Sequence, residues 1–160
     1  MIALYDGVEI GYDDVGVGMP VAFVHGFPHN RTLWAPQVGA LVDRARCIAP
    51  DLRGFGESSK HGPFTIDQFA DDLAMLLREL GIERAVIVGL SMGGYIALNY
   101  ALKYRQRILR LTLAHTRARI IRIDYHLNPV DNSPASKPQR GGPATCHWHR
   151  RPGNVCSHLA

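Results

Sequence analysis

Pro20-Val21-Ala22-Phe23-Val24 is a continuous apolar run with no polar face, and such a segment is stable only where it is covered on both sides. That is the position of a strand inside a parallel sheet. Arg46-Cys47-Ile48-Ala49-Pro50, Ala85-Val86-Ile87-Val88 and the stretch from Leu109 to Leu113 have the same character. Between these runs lie helical patterns. The clearest runs from Thr65 to Leu80, where Ile66, Phe69, Leu73, Leu76, Leu77 and Leu80 share one face. Thr65 with Gln68 three residues on is a capping-box pattern, and Gly81 supplies a residue that adopts positive φ after the last turn. Residues 31–43 and 93–104 are weaker helix candidates. Strand and helix alternate, which predicts an α/β fold with a mostly parallel sheet. Ahead of it, Val8 to Tyr12 alternates like a half-buried strand and Val15-Gly16-Val17-Gly18 reads as a turn, so an opening hairpin is expected there.

The 160 residues suffice for one ordinary domain, and 46% apolar with 20% charged residues is the balance of a folded, water-soluble chain. The longest apolar run, Ala85 to Leu90, is far short of the roughly 20 residues that span a bilayer, and Met1-Ile2-Ala3-Leu4-Tyr5-Asp6 has no basic start or leader-like apolar core. No membrane association is expected, and a cytoplasmic location is. Cys47, Cys146 and Cys156 are odd in number and unpatterned, which argues against a disulfide framework and fits a reducing compartment.

The net charge of +4 is unevenly placed. Residues 1–115 hold 11 Lys/Arg and 12 Asp/Glu, whereas residues 116–160 hold 7 and 2. The regular order also stops there: the last stretch carries Pro129, Pro134, Pro138, Pro143 and Pro152, with no Glu, Phe or Met. Two regions are therefore expected, an ordered one over 1–117 and an irregular basic tail rich in Pro, His and Arg over 118–160. Translation of a shifted reading frame from about residues 116–120 would produce such a tail, and resequencing the gene tests that origin. Seven basic residues without a recognisable module support no specific nucleic-acid binding.

Gly89-Leu90-Ser91-Met92-Gly93 matches G-x-S-x-G and stands directly between an apolar strand and a helix pattern. The string alone arises by composition in roughly one chain in twenty of this length. Its place carries the argument. A strand that turns this sharply into a helix strains the serine backbone and presents the hydroxyl at the carboxyl end of the sheet, and the flanking glycines let strand and helix approach. Acyl transfer at Ser91 also needs a base for its proton and donors for an oxyanion. The Met92 N–H at the helix start is one donor, and the loop Val24-His25-Gly26-Phe27-Pro28 is placed to give a second.

His25-Gly26-Phe27, Asp51-Leu52-Arg53-Gly54-Phe55-Gly56-Glu57-Ser58 and Gly89-Leu90-Ser91-Met92-Gly93-Gly94 occur in the order and spacing of α/β-hydrolases. The chain resembles the esterase, lactonase and cofactor-free haloperoxidase branch of that family over about residues 1–117. The resemblance implies a sheet with flanking helices that is incomplete at its C-terminal side, a Ser91 nucleophile, an oxyanion hole from the Phe27 and Met92 amides, and support from Gly89, Gly93, His25 and Gly26. It implies a small ester or lactone substrate and no cofactor. His25 is expected to shape the oxyanion loop, and Asp51 and Arg53 to organise a turn. Ser58 lacks a strained turn and is no rival nucleophile. Trp34 and Tyr95 are expected in helix-to-sheet packing, with pocket lining the alternative.

In this family the triad acid and histidine follow the serine on later strands. None of His115, His126, His147, His149 or His158 lies in a matching context, and neither Asp124 nor Asp131 does. The chain is thus expected to turn over slowly or not at all. The other reading is a noncatalytic fragment that self-associates through an open sheet edge. Cys146, His147, His149, Cys156 and His158 offer zinc-type donors, but at no usual spacing, and no metal site is expected.

Overall fold

The computed structural model describes residues 1–60 and 64–117, and the expected tail lies outside them. Six strands are formed: β1 (Ile2–Tyr5), β2 (Val8–Val15), β3 (Met19–Val24), β4 (Ala45–Pro50), β5 (Ala85–Leu90) and β6 (Ile108–Ala114). Three α-helices, α1 (Ala35–Leu41), α2 (Ile66–Glu79) and α3 (Met92–Lys103), fill the crossovers, with 3₁₀ turns at Arg31–Trp34 and Arg105–Arg107. The sheet order is β1-β2-β4-β3-β5-β6. Pairs β3–β4, β3–β5 and β5–β6 are parallel, and β1–β2 and β2–β4 antiparallel. All four runs read as interior strands are strands of this mixed, mostly parallel sheet.

The opening hairpin differs from expectation. It joins β1 to β2 through Asp6 and Gly7, both at positive φ, with Tyr5 opposite Val8. Gly16 and Gly18 do bend the chain, but β2 then pairs with β4 and not with the next strand. A Cβ at Gly16 would lie 2.3 Å from the Ala45 carbonyl oxygen, so the connection passes hard against the start of β4.

The interior of the sheet follows from period-two alternation. On β3, Ala22 and Val24 join the larger core with α2 and α3, and Val21 and Phe23 join a smaller one with Trp34, Cys47 and Ala49 beneath α1. Helix α2 lays Phe69, Leu73, Leu76 and Leu77 into the larger core, each almost wholly buried and worth about 1.5–3 kcal/mol relative to exposure. Its start is capped as predicted, the Gln68 N–H donating to Thr65 Oγ1 at 3.1 Å, and Gly81 follows its end at φ 68. Helix α1 spans only seven residues, so Val86, Val88 and Leu90 on its side of β5 stay half-buried among the described residues.

Arg53 reaches from the loop after β4 to the carboxylate of Asp72 on α2, with Nε donating to Oδ2 at 2.9 Å and Nη2 to Oδ1. Burial pushes the Asp72 carboxyl up, opposed by the guanidinium. Removing one partner strands the other, at a cost of about 3–5 kcal/mol, whereas replacing both with apolar groups is often near neutral. Arg53→Met is therefore expected to destabilise strongly in urea unfolding, and Arg53→Met with Asp72→Leu to recover most of the loss. Equal destabilisation by the single and double variants would remove the buried pair as the cause.

Candidate active site

At the end of β5 the backbone reverses into α3 through Ser91, at φ 53 and ψ −114. A non-glycine residue in such a region costs on the order of 1–3 kcal/mol and persists only where its surroundings hold it. They do. The Ser91 N–H donates to the Ala114 carbonyl of β6 at 2.9 Å, and the Ser91 carbonyl accepts from the Gly94 N–H at 2.9 Å. A Cβ at Gly89 would lie 2.3 Å from the Gly93 carbonyl oxygen, and one at Gly93 would lie 2.2 Å from that of Val24. Any side chain at either position drives β5, α3 and β3 apart. The Ser91 side chain itself is exposed.

The loop after β3 meets this turn. A Cβ at Gly26 would stand 2.8 Å from the Leu90 carbonyl oxygen and 3.1 Å from Ser91 Cβ, so His25-Gly26-Phe27 lies directly against Ser91. Among the described residues neither the Phe27 nor the Met92 amide has a hydrogen-bond acceptor. Helix α3 begins at Met92, which directs the positive end of its dipole toward the serine.

His25 is wholly buried, and both ring nitrogens are engaged. Nε2 accepts the Leu52 N–H at 3.0 Å, which leaves the proton on Nδ1, 3.0 Å from the Gly26 carbonyl oxygen. Burial holds the imidazole below its usual 6.5. The ring thus ties the loop after β3 to the loop after β4 as a neutral group, with no nitrogen free for Ser91.

Asp51 is equally buried and accepts from the Arg31 N–H at 2.7 Å, the Glu57 N–H at 2.9 Å and the Arg31 guanidinium. The same guanidinium bonds Asp13 at 3.1 Å and Glu57 at 2.6 Å. Ser58 Oγ donates to the Asp51 carbonyl at 2.7 Å and accepts from the Gly11 N–H at 2.9 Å. These groups fasten loops together. Sequence reading missed Arg31, whose partners lie 18 to 26 positions away. Trp34 packs on Phe23 with ring centroids 5.3 Å apart, inside the smaller core, and Tyr95 is half-buried. A cleft of about 380 Å³ opens between Asp13, Arg31, Val38 and Val42, and neither Ser91, Phe27 nor Met92 lines it.

Among the described residues no imidazole hydrogen-bonds Ser91, no group of three or more His, Cys, Asp or Glu is placed to hold a metal, and no helix is long and apolar enough to cross a membrane. Asp124, Asp131, His126, His147, His149, His158, Cys146 and Cys156 lie outside the described residues.

The family model for the alpha/beta hydrolase fold matches residues 19–143. Curated relatives include the non-heme chloroperoxidase CPO-A1 of Kitasatospora aureofaciens, 47% identical over 56% of this chain and 33% of its own length, and the 2-hydroxy-6-oxo-2,4-heptadienoate hydrolase of Pseudomonas putida, 36% identical over 70% and 42%. A thermophilic esterase from Thermogutta terrifontis is similar in structure, with a TM-score of 0.69 and 49% identity over 74% of this chain and 44% of that one. Est816, described as an N-acyl homoserine lactone degrading enzyme, has a TM-score of 0.70 and 35% identity over 72% and 45%. The chain spans 33–42% of the length of the first curated relatives that it matches. With a family model matched over most of its length and this sheet order around Ser91, the chain belongs to the α/β-hydrolase family.

Proposed function

We propose that Ser91 is the nucleophile of an acyl-transfer site for a small ester or lactone. The observation that carries this reading is the strained, exposed Ser91 at the end of β5, wedged between glycines that touch neighbouring backbone. Ser91 Oγ attacks the substrate carbonyl, and the Phe27 and Met92 N–H groups stabilise the developing oxyanion. A lost donor of this kind typically costs 10²–10³ in rate. His25, Gly26, Gly89 and Gly93 act through backbone position. The substrate class is supported by the esterase and the lactone-degrading enzyme among the structural relatives. The chemistry needs no cofactor, and the buried free thiol of Cys47 suits a reducing, cytoplasmic setting. The hydrolase unit is assigned to residues 1–117 on the motifs that carry the resemblance.

Turnover is expected to be low, because no aligned imidazole and carboxylate accompany Ser91 among the described residues, and loss of such a base costs up to about 10⁶ in kcat. A second reading, a fragment that associates through its sheet, is favoured by β6, whose Leu109 and Leu113 are each 37% exposed. An antiparallel pairing of two copies centred on Leu111 would set leucine 109 of one against leucine 113 of the other. It predicts a concentration-dependent mass in light scattering that Leu109→Lys abolishes, and a strict monomer at all concentrations would remove it.

Incubation with p-nitrophenyl acetate is expected to leave one acetyl group at position 91 by peptide mass mapping. Ser91→Ala should lose it, and Ser91→Cys should acquire it faster, because a thiol is partly ionised at neutral pH without a base. Equal labelling of wild type and Ser91→Ala would contradict the reading.

His25 adds a pH dependence to stability. Its folded pKa lies below the unfolded 6.5, so the unfolded chain binds the proton first as pH falls. The contribution is complete above 6.5 and declines below it. His25→Asn is expected to lower stability at pH 8 and to flatten its fall between pH 6.5 and 5; an unchanged slope would show that His25 is not its source.

A further inference from the structure

Strand β6 brings a histidine to the serine that no motif predicts. Leu90 at the end of β5 is the register partner of Ala114 at the end of β6, and the Ser91 N–H donates to the Ala114 carbonyl at 2.9 Å. Ser91 and His115 are therefore the next residues on neighbouring strands, which in a sheet lie about 4.8 Å apart. Both leave the sheet at positive φ, 53 for Ser91 and 47 for His115, and both side chains are exposed at this carboxyl end. Histidine is among the few side chains enriched in that left-handed region.

The backbone that carries His115 is held on both sides. Ala114 is fixed by the Ser91 N–H, and Thr116 sits so close to the first turn of α3 that a Cβ at Gly94 would lie 2.5 Å from the Thr116 Cβ. Among the described residues, neither ring nitrogen of His115 has a hydrogen-bond partner. Of the other described histidines, His25 is locked by two hydrogen bonds, and His29 makes no hydrogen bond to Ser91.

We propose that His115 is the catalytic base of acylation in this chain, taking the Ser91 proton by a change of side-chain rotamer. The inference rests on the reading of Ser91 as nucleophile. As the Ser91 Oγ to carbonyl-carbon bond forms, the hydroxyl proton passes to the neutral imidazole and the carbonyl π pair moves to oxygen between the Phe27 and Met92 amides. Collapse of the adduct restores the carbonyl and expels the alkoxide or phenolate, which recovers the proton from His115. General-base assistance of this kind contributes typically 10²–10⁴ in rate, and its size here is bounded by the absence of an orienting carboxylate on His115 among the described residues.

The full chain is treated with p-nitrophenyl acetate and the rate of acetylation at position 91 followed by mass. His115→Gly suits φ 47 and opens a space that free imidazole fits. The expected result is a loss of about 10²-fold in that rate and its partial restoration by added imidazole, with His115→Gln equally slow and not restored. Ser91→Cys, alone and with His115→Gly, separates the two claims. Failure of Ser91→Cys to acetylate at position 91 overturns the nucleophile itself. Acetylation of Ser91→Cys together with a wild-type rate that is undetectable, or that His115→Gly leaves unchanged, overturns His115 as the base.

Discussion

Three stretches of backbone meet at the β5–α3 turn with no space for a side chain between them. The Gly93 Cα faces the Val24 carbonyl, the Gly89 Cα faces that of Gly93, and the Gly26 Cα faces that of Leu90. This contact fixes the crossing of α3 over the sheet, holds Ser91 at φ 53, and sets the His25-Gly26-Phe27 loop beside it. The outer loops are then secured in turn: His25 bonds the backbone of Leu52, and the Asp51 carboxylate binds the Arg31 and Glu57 backbone amides. A reactive arrangement at the sheet end thus depends on residues whose merit is small size, and on buried polar groups whose hydrogen bonds tie the loops to one another and to β2.

Strands β3, β4 and β5 were legible because they lie inside the sheet and carry nearly continuous apolar runs, β6 because it keeps such a run although it stands at the edge among the described residues, and α2 because its six apolar positions keep one face and its ends carry Thr65 and Gly81. Strand β1 was not, since Ile2-Ala3-Leu4-Tyr5 lies at the sheet edge, where burial is partial and patterning weak. Gly16 and Gly18 gave the bend after β2 but not its partner. Local turn chemistry states that the chain changes direction, whereas the choice of β4 over β3 is made by packing across more than 30 residues. The half-cover of β5 beneath α1 was also beyond reach, because it depends on how short that helix is.

At the site, Ser91 and its glycines were legible because the motif and its strand-to-helix context are contiguous in sequence. His25 was found through the resemblance, and the geometry supplies the reason for its burial: one nitrogen for Leu52, one for Gly26. Arg31 and His115 carried no local signal. Arg31 gathers Asp13 of β2 with Asp51 and Glu57 of the loop after β4, and the backbone of His115 is set beside that of Ser91 only through the parallel register of β5 and β6. Such residues become visible only when the strands are placed.

If Ser91 is a nucleophile with two backbone donors beside it, phenylboronic acid soaked into crystals of the chain should report both in one structure. Boron is expected on Ser91 Oγ, with Ser91 at positive φ and a boron-bound oxygen within about 3.1 Å of both the Phe27 and Met92 amide nitrogens. Boron bound elsewhere, or held by Ser91 with its oxygens turned away from both amides, would contradict it.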